Sequence, residues 1–396
     1  MRIPRKFMMS PLHDKFGGVY HLVSRIVWRE FIFGDAEREA FVKLMRKYEA
    51  FSDIKVLGYC IMSNHVHIMA YVPPARPEEL SDGQFLKQLK YLYNGEHIGF
   101  VKKQLDRAHT LQDEEERRAE LEKIREPYTR RMWNFSEFMK SLKQCFSRWY
   151  NKEEGKSGAL WEGRFKHVVV QGGFHARFIA AYIDLNPLRA GMVKDVPDYR
   201  WSNIGAAHGG RADCRNAFLC TMLHESTEEL HAGWQARGRE HIHEYLVSLR
   251  QEEQSKKGPA AQVMKFDWNA QSAKYRCFYM EEGQQAVGEI REGQDPEVHK
   301  KRRLGYTEKE LQETLDEGGK LGVQKMLCCR LRFVSEGGYI GFKNFVENGY
   351  QHLKSVLPEA YANRKHGAKK VSFSKDKRLY AHRRHLKDAC QPMGGA

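Results

Sequence analysis

The chain has 396 residues, enough for a large core and for more than one domain. Its 66 Lys and Arg against 51 Asp and Glu leave a formal charge of +15, and with 12% aromatics this favours a polyanionic partner, nucleic acid before an anionic membrane surface. No stretch approaches the ~20 apolar residues of a membrane-spanning helix, and the start Met1–Phe7 lacks the apolar run of a signal peptide. The eight cysteines show no C-x-x-C spacing, and Cys328 and Cys329 are adjacent, which argues against a disulfide framework or a zinc site. These features predict a cytoplasmic protein with reduced thiols and no membrane partner.

Residues 1–16 read as a basic, loosely ordered arm. Gly17-Gly18 then opens a strand, Val19–Val27, by its β-branched and aromatic content. Asp35 stands where an N-cap belongs, and Phe41, Leu44, Met45 and Tyr48 follow at helical spacing, predicting a helix over 36–50. Ile54–Gly58 and then His65–Val72 read as strands. The order strand, helix, strand, strand is the first half of a βαββαβ layer, an α+β ferredoxin-like antiparallel sheet with its helices on one side.

Residues 75–130 interrupt that pattern, with prolines at 73, 74 and 77 and a charged run from Gln112 to Arg125, and read as a helical insertion, solvated or laid along a partner. Phe138, Met139, Leu142, Cys145, Phe146 and Trp149 mark an amphipathic helix ending near Tyr150. Leu160–Val170 reads as a strand, and Phe174–Asn186 as a helix stopped by Pro187. Composition shifts after Ser202. Residues 206–396 read as a mainly helical, basic C-terminal region, with a linker near 255–260, a capping box opening a helix at Thr307, a compact hairpin plus helix at 331–352, and a basic tail from Arg364.

Two groups of residues carry chemistry. On a strand, residues two apart share a face, so His65 and His67 project together with Val66 turned inward. Two neutral imidazoles so placed suit one divalent metal ion, although an isolated H-x-H equally describes two half-exposed histidines at a strand edge. In the helix 174–186, Tyr182 and Asn186 are one turn apart on one face. The amide oxygen is a hard donor suited to Mg²⁺ or Mn²⁺, and two imidazoles with one amide leave positions open for a phosphate, which a phenol can attack once charge is drawn off it. Tyr150 ends the preceding helix and competes for the nucleophile role. A second H-x-H, His241-Ile-His243, falls in a helical pattern, where residues two apart diverge by about 200°, and is rejected as a metal site.

His65-Val66-His67, the string Leu160-Trp-Glu-Gly-Arg-Phe-Lys166, Tyr182-Ile-Asp-Leu-Asn-Pro-Leu-Arg-Ala-Gly191 and Asp198-Tyr-Arg-Trp-Ser202 together resemble the single-tyrosine HUH transposases, with their transposase IS200-like domain. Within them the chain is most similar to the REP-associated tyrosine transposases. The resemblance covers about residues 15–205 and predicts a catalytic domain over 17–205, with 75–130 as a departure. It implies single-stranded DNA with palindromic hairpins as substrate. Cleavage would leave a 5′-phosphotyrosyl enzyme and a free 3′-hydroxyl, and reversal of that step would rejoin strands. Position by position, it implies His65 and His67 as metal ligands, Tyr182 as nucleophile, and Asn186 as third ligand where the wider family often has glutamine.

Phosphate and base contacts are expected from Arg25, Arg164, Lys166 and Arg189. Trp161 is a candidate base-stacking residue, with core packing equally open. Tyr199 reads as structural. Dimers that share active sites occur across the broader family, so a homodimer is one expectation, and a bacterial, nucleoid-associated location is another. Two other functions stay open: a catalytically silent protein that binds nucleic-acid hairpins, and a metal-dependent nuclease that uses water.

Overall fold

The computed structural model describes residues 9–76, 80–256, 265–279, 326–327, 331–335, 338–356, 368–370 and 378–382. A short helix α1 (His13–Phe16) leads into β1 (Gly18–Arg25), α2 (Asp35–Ser52), β2 (Lys55–Ile61) and β3 (His65–Val72). After three helices, α3 (Asp82–Leu89), α4 (Gly95–Ala108) and α5 (Glu114–Thr129), the long α6 (Phe135–Glu153) and β4 (Lys166–Val170) complete the layer. These strands lie in the order β2-β3-β1-β4 with every neighbouring pair antiparallel. With α2 and α6 as its crossovers, this is the expected ferredoxin-like α+β unit.

Strand alternation assigns the two faces. Tyr20, Leu22, Val66, Ile68 and Val169, all buried, share one face. The crossover helices cover it together: Phe135 of α6 stacks on Tyr20 at 4.4 Å, and Phe146 of α6 meets Phe41 of α2 edge-on at 5.2 Å. His21, Val23 and Arg25 of β1 and His65, His67 and Met69 of β3 share the opposite face. The helix α7 (Phe174–Asp184), which carries Tyr182, packs there.

The C-terminal part of the chain adds strands as well as helices. After α8 (Asn186–Arg189) come α9 (Asn203–His208), α10 (Ala212–Leu223), α11 (Thr227–Arg237), α12 (Ile242–Ser255) and α13 (Trp268–Tyr279). Further on lie α14 (Arg332–Ser335), β5 (Gly338–Gly341), α15 (Lys343–Val356), β6 (Ala368–Lys370) and β7 (Tyr380–His382). β5 pairs parallel with β4, and β7 and β6 follow, so among the described residues the sheet is seven-stranded and mixed rather than purely antiparallel. One buried cluster runs continuously from Val19 through Phe218 and Leu246 to Ile340 and Ala381.

Several expectations change at this level. Residues 9–16 are packed, not loose: the Ser10 N–H donates to the Tyr20 hydroxyl at 3.1 Å, and that hydroxyl lies 2.9 Å from His13 Nδ1. The insertion is more than solvated helix, because Phe85, Leu89, Val101, Leu105, Met132 and Trp133 bury a second core against Phe51 of α2. The strand expected over 160–170 is regular only from Lys166, with Trp161 held by a single bridge to Ile26. Pro187 does not end the helical path. α7 stops at Asp184 and Pro187 sits in the first turn of α8, where its missing N–H costs nothing. Within 331–352 there is no hairpin among the described residues: β5 pairs with β4, a strand far away in sequence. The capping box at Thr307, the segment 257–264 of the expected linker, and most of the basic tail lie outside the described residues.

Candidate metal and nucleophile site

His65 and His67 stand on the face that α7 covers, their ring centroids 5.0 Å apart. Register places Arg25 directly across from His65, and Val23 across from His67. The Tyr182 ring on α7 lies 6.4 Å from that of His67, so the structure brings Tyr182 to the histidine pair. Tyr150, the competing tyrosine, instead packs against Phe146 on α6.

Hydrogen bonds determine which imidazole nitrogens face outward. His21 Nδ1 lies 2.7 Å from the carbonyl oxygen of Val334, which can only accept, so this nitrogen carries the proton. His21 is fully buried, and desolvation pushes its pKa down to about 4, so the ring is neutral and its Nε2 is an acceptor. The 2.9 Å contact between His21 Nε2 and His67 Nδ1 therefore runs from a His67 Nδ1–H donor, which leaves the His67 Nε2 lone pair bare. His65 is held through Nδ1 by a different group. Its Nδ1 lies 2.7 Å from Asn64 Oδ1, and the Asn64 amide is oriented by its Nδ2–H donating to the Arg29 carbonyl at 3.0 Å. His67 thus presents an unprotonated Nε2, the form a divalent metal binds, with its other nitrogen fixed by an imidazole.

The groups that act on His67 all shift it in one direction. Burial first, then His65, His21, Arg25 and Arg189, hold His67 well below the usual imidazole range. That environment keeps the His67 imidazole neutral. The Arg189 guanidinium lies 4.2 Å over the Tyr182 ring and donates to the carbonyls of Tyr182, at 2.7 Å, and Leu327, at 2.6 Å. The Asn186 amide nitrogen donates to the carbonyls of Tyr182 and Ile183, both at 3.1 Å, and so caps the end of α7. Among the described residues no three His, Cys, Asp or Glu side chains converge as a metal site. The donors present fit a hard divalent ion that takes two imidazole nitrogens and completes its shell with neutral oxygens, water or phosphate.

The other expected DNA contacts are scattered. Lys166 is exposed on β4, opposite Val23 and so on the histidine face. Arg164 is exposed in the irregular segment before β4. Trp161 is committed to packing: its Nε1–H donates to Lys143 O and Ser147 Oγ, and its ring sits beside Phe33, Phe41 and Phe146. Tyr199 is buried and donates to the Ile61 carbonyl at 2.6 Å, the structural role expected of it. His241 stands just before α12 and its ring and that of His243 lie 6.3 Å apart, so helical divergence is not what disqualifies the pair; His241 is engaged by Glu244, and among the described residues no group of three potential ligands forms there. Sequence reasoning missed His21 and Asn64. His21 is a lone histidine in an apolar strand, and nothing short of the strand register points to its partner 46 residues away.

Residues 14–90 match the family of IS200-like transposases (Transposase IS200 like). The match takes in β1 to β3 with both histidines and ends before Tyr182. A search of curated proteins gives no match. Among solved structures, the REP-associated tyrosine transposase bound to a REP hairpin matches at 14% identity and a TM-score of 0.30, over 54% of this chain and 90% of that one. Among the described residues no helix is long and apolar enough to cross a membrane.

Proposed function

We propose that this chain cleaves and rejoins single-stranded, hairpin-bearing DNA through a 5′-phosphotyrosine on Tyr182. The observation that carries the reading is the position of the Tyr182 ring beside His67, whose hydrogen bond to His21 leaves its Nε2 as an acceptor and whose ring lies 5.0 Å from that of His65. The partial family match over the histidine strands supports it.

His65 and His67 would hold the divalent ion, Mg²⁺ or Mn²⁺, with Asn186 as a further oxygen donor. When bound, the ion supplies Lewis-acid polarisation of the scissile phosphate. Arg25 and Lys166, on the histidine face, hold the backbone phosphates. The Tyr182 hydroxyl oxygen bonds to phosphorus, the P–O3′ bond breaks, the phenol gives up its proton and the departing 3′ oxygen takes one up. Attack by another 3′-hydroxyl reverses these changes and rejoins DNA without an external energy source. α7 fixes the ring that must meet the phosphate, and Arg189 over that ring limits its motion.

The test is adduct trapping on a denaturing gel with hairpin DNA and Mn²⁺. Wild type should give a shifted band that Tyr182→Phe and His65→Ala abolish and Tyr150→Phe retains. Loss of the band in Tyr150→Phe alone would move the nucleophile, and cleavage surviving Tyr182→Phe would indicate water. Tyr182 is only 3% exposed, which favours a second reading, a silent hairpin-binding protein. Tight binding of hairpins without any adduct would select it.

A further inference from the structure

The aromatic side chain offered to solvent beside this site is not Trp161 but Trp28. It is 85% exposed, and Phe31 nearby is 71% exposed. Trp28 and Arg29 both adopt left-handed backbone, at φ 55° and 59°. A bulky residue takes that conformation only where its surroundings impose it. Here they do. The Ile26 N–H donates to the Asn64 carbonyl, Val27 N–H to Leu160 O, and Phe33 N–H to Ser63 O, while the Asn64 side chain holds the Arg29 carbonyl. The loop is pinned at both ends to the turn before β3 and to the segment before β4. Asn64 is shared: the same side chain accepts from His65 Nδ1–H. The exposed indole and the metal-facing imidazole are therefore positioned by one amide.

We infer that Trp28 is a stacking platform for an unpaired base of the single strand that leads to the histidine pair. The inference rests on the proposed function. Several features fit that occupant. A rigid aromatic loses little freedom on binding, every base offers a π-face, and Arg25 and Arg29, three residues before Trp28 and one after it in the chain, add positive charge to the same segment. The chain's charge of +15 is of the sign needed.

The test uses the full chain in EDTA, so that no strand is cut, and fluorescence anisotropy. The probes are a DNA stem-loop with oligodeoxyadenosine tails on both ends and the same stem-loop without tails. Wild type should prefer the tailed DNA. Trp28→Ala should lose on the order of ten-fold in affinity for it and nothing for the blunt stem-loop, and Trp28→Phe should keep most of the affinity. A single abasic nucleotide at the stacked position should cost wild type the same factor and Trp28→Ala nothing further. An unchanged tailed-DNA affinity in Trp28→Ala, an equal loss on both probes, or a wild type indifferent to tails would each overturn the platform. The adduct assay separates this failure from failure of the wider reading, since a platform can be absent from a protein that still forms the phosphotyrosine.

Discussion

His21 Nε2 and His67 Nδ1 lie 2.9 Å apart, with the rings nearly parallel at 16° and their centroids 5.1 Å apart. Because His21 spends its own N–H on the Val334 carbonyl, the pair forms a directed chain from His67 through His21 to the C-terminal segment. Removing the middle member should free His67 to rotate or change tautomer. His21→Leu is expected to weaken Mn²⁺ binding by ~10- to 100-fold, as lost partners of metal-binding histidines generally do. His21→Gln, whose amide can donate to Val334 and accept from His67, should recover most of it. Mn²⁺ titration by electron paramagnetic resonance reads the affinity. Nitrogen-15 shifts of the metal-free protein read the tautomer, and an unchanged His67 tautomer in His21→Leu would refute the relay.

The same chain makes residues 331–335 part of the site's support. Truncation after Lys256 removes Val334 and β5, orphans His21 Nδ1, and leaves the β4 edge unpaired. A buried donor left without a partner costs ~1–3 kcal/mol, and an open edge invites aggregation. The truncated chain should melt below the full chain and bind Mn²⁺ more weakly. Equal melting and affinity would show that the C-terminal segment is an independent module.

Buried neutral histidines predict acid lability. Desolvation holds His13, His21 and His224 at about 4. Between that value and the unfolded value near 6.5 the unfolded chain binds more protons, so stability falls as pH drops through this window, by up to ~3 kcal/mol per group. Asp184 and Asp53, raised by burial to about 7 and about 6, act in the opposite sense, losing stability as pH rises toward those values. The histidines outnumber them. Urea midpoints should therefore fall from pH 6.5 to pH 4.5, and His224→Phe, away from the site, should shallow that slope. A variant slope equal to wild type would contradict the burial assignment.

Gly173 precedes α7 with φ 73°, and a Cβ there would meet the Glu225 carbonyl oxygen at 2.4 Å. Gly173→Ala must move either α7 or the 225 turn. It should cost at least ~1–2 kcal/mol and reduce adduct yield, because α7 carries Tyr182. Thermal melting and the adduct gel check both effects; a normal melting temperature would mean that the turn relaxes freely.

Some of this was legible in the chain alone. The shared face of His65 and His67 follows from the two-residue period of a strand, and the closeness of Tyr182 and Asn186 from the pitch of a helix. The βαββ order, the amphipathic α6 and the structural role of Tyr199 were readable for related local reasons. Tertiary structure decided the rest. It packed Trp161 against Phe33 and Phe146 and exposed Trp28, two tryptophans that composition cannot tell apart. It set β5 beside β4 in parallel, a pairing between strands far apart in sequence that no local pattern encodes. It made His21 the partner of His67, through strand register, and Val334 the partner of His21, 313 residues away. Local geometry repeats along the backbone and leaves its period in the sequence, whereas a long-range contact depends on how whole elements dock, and only the folded chain records that.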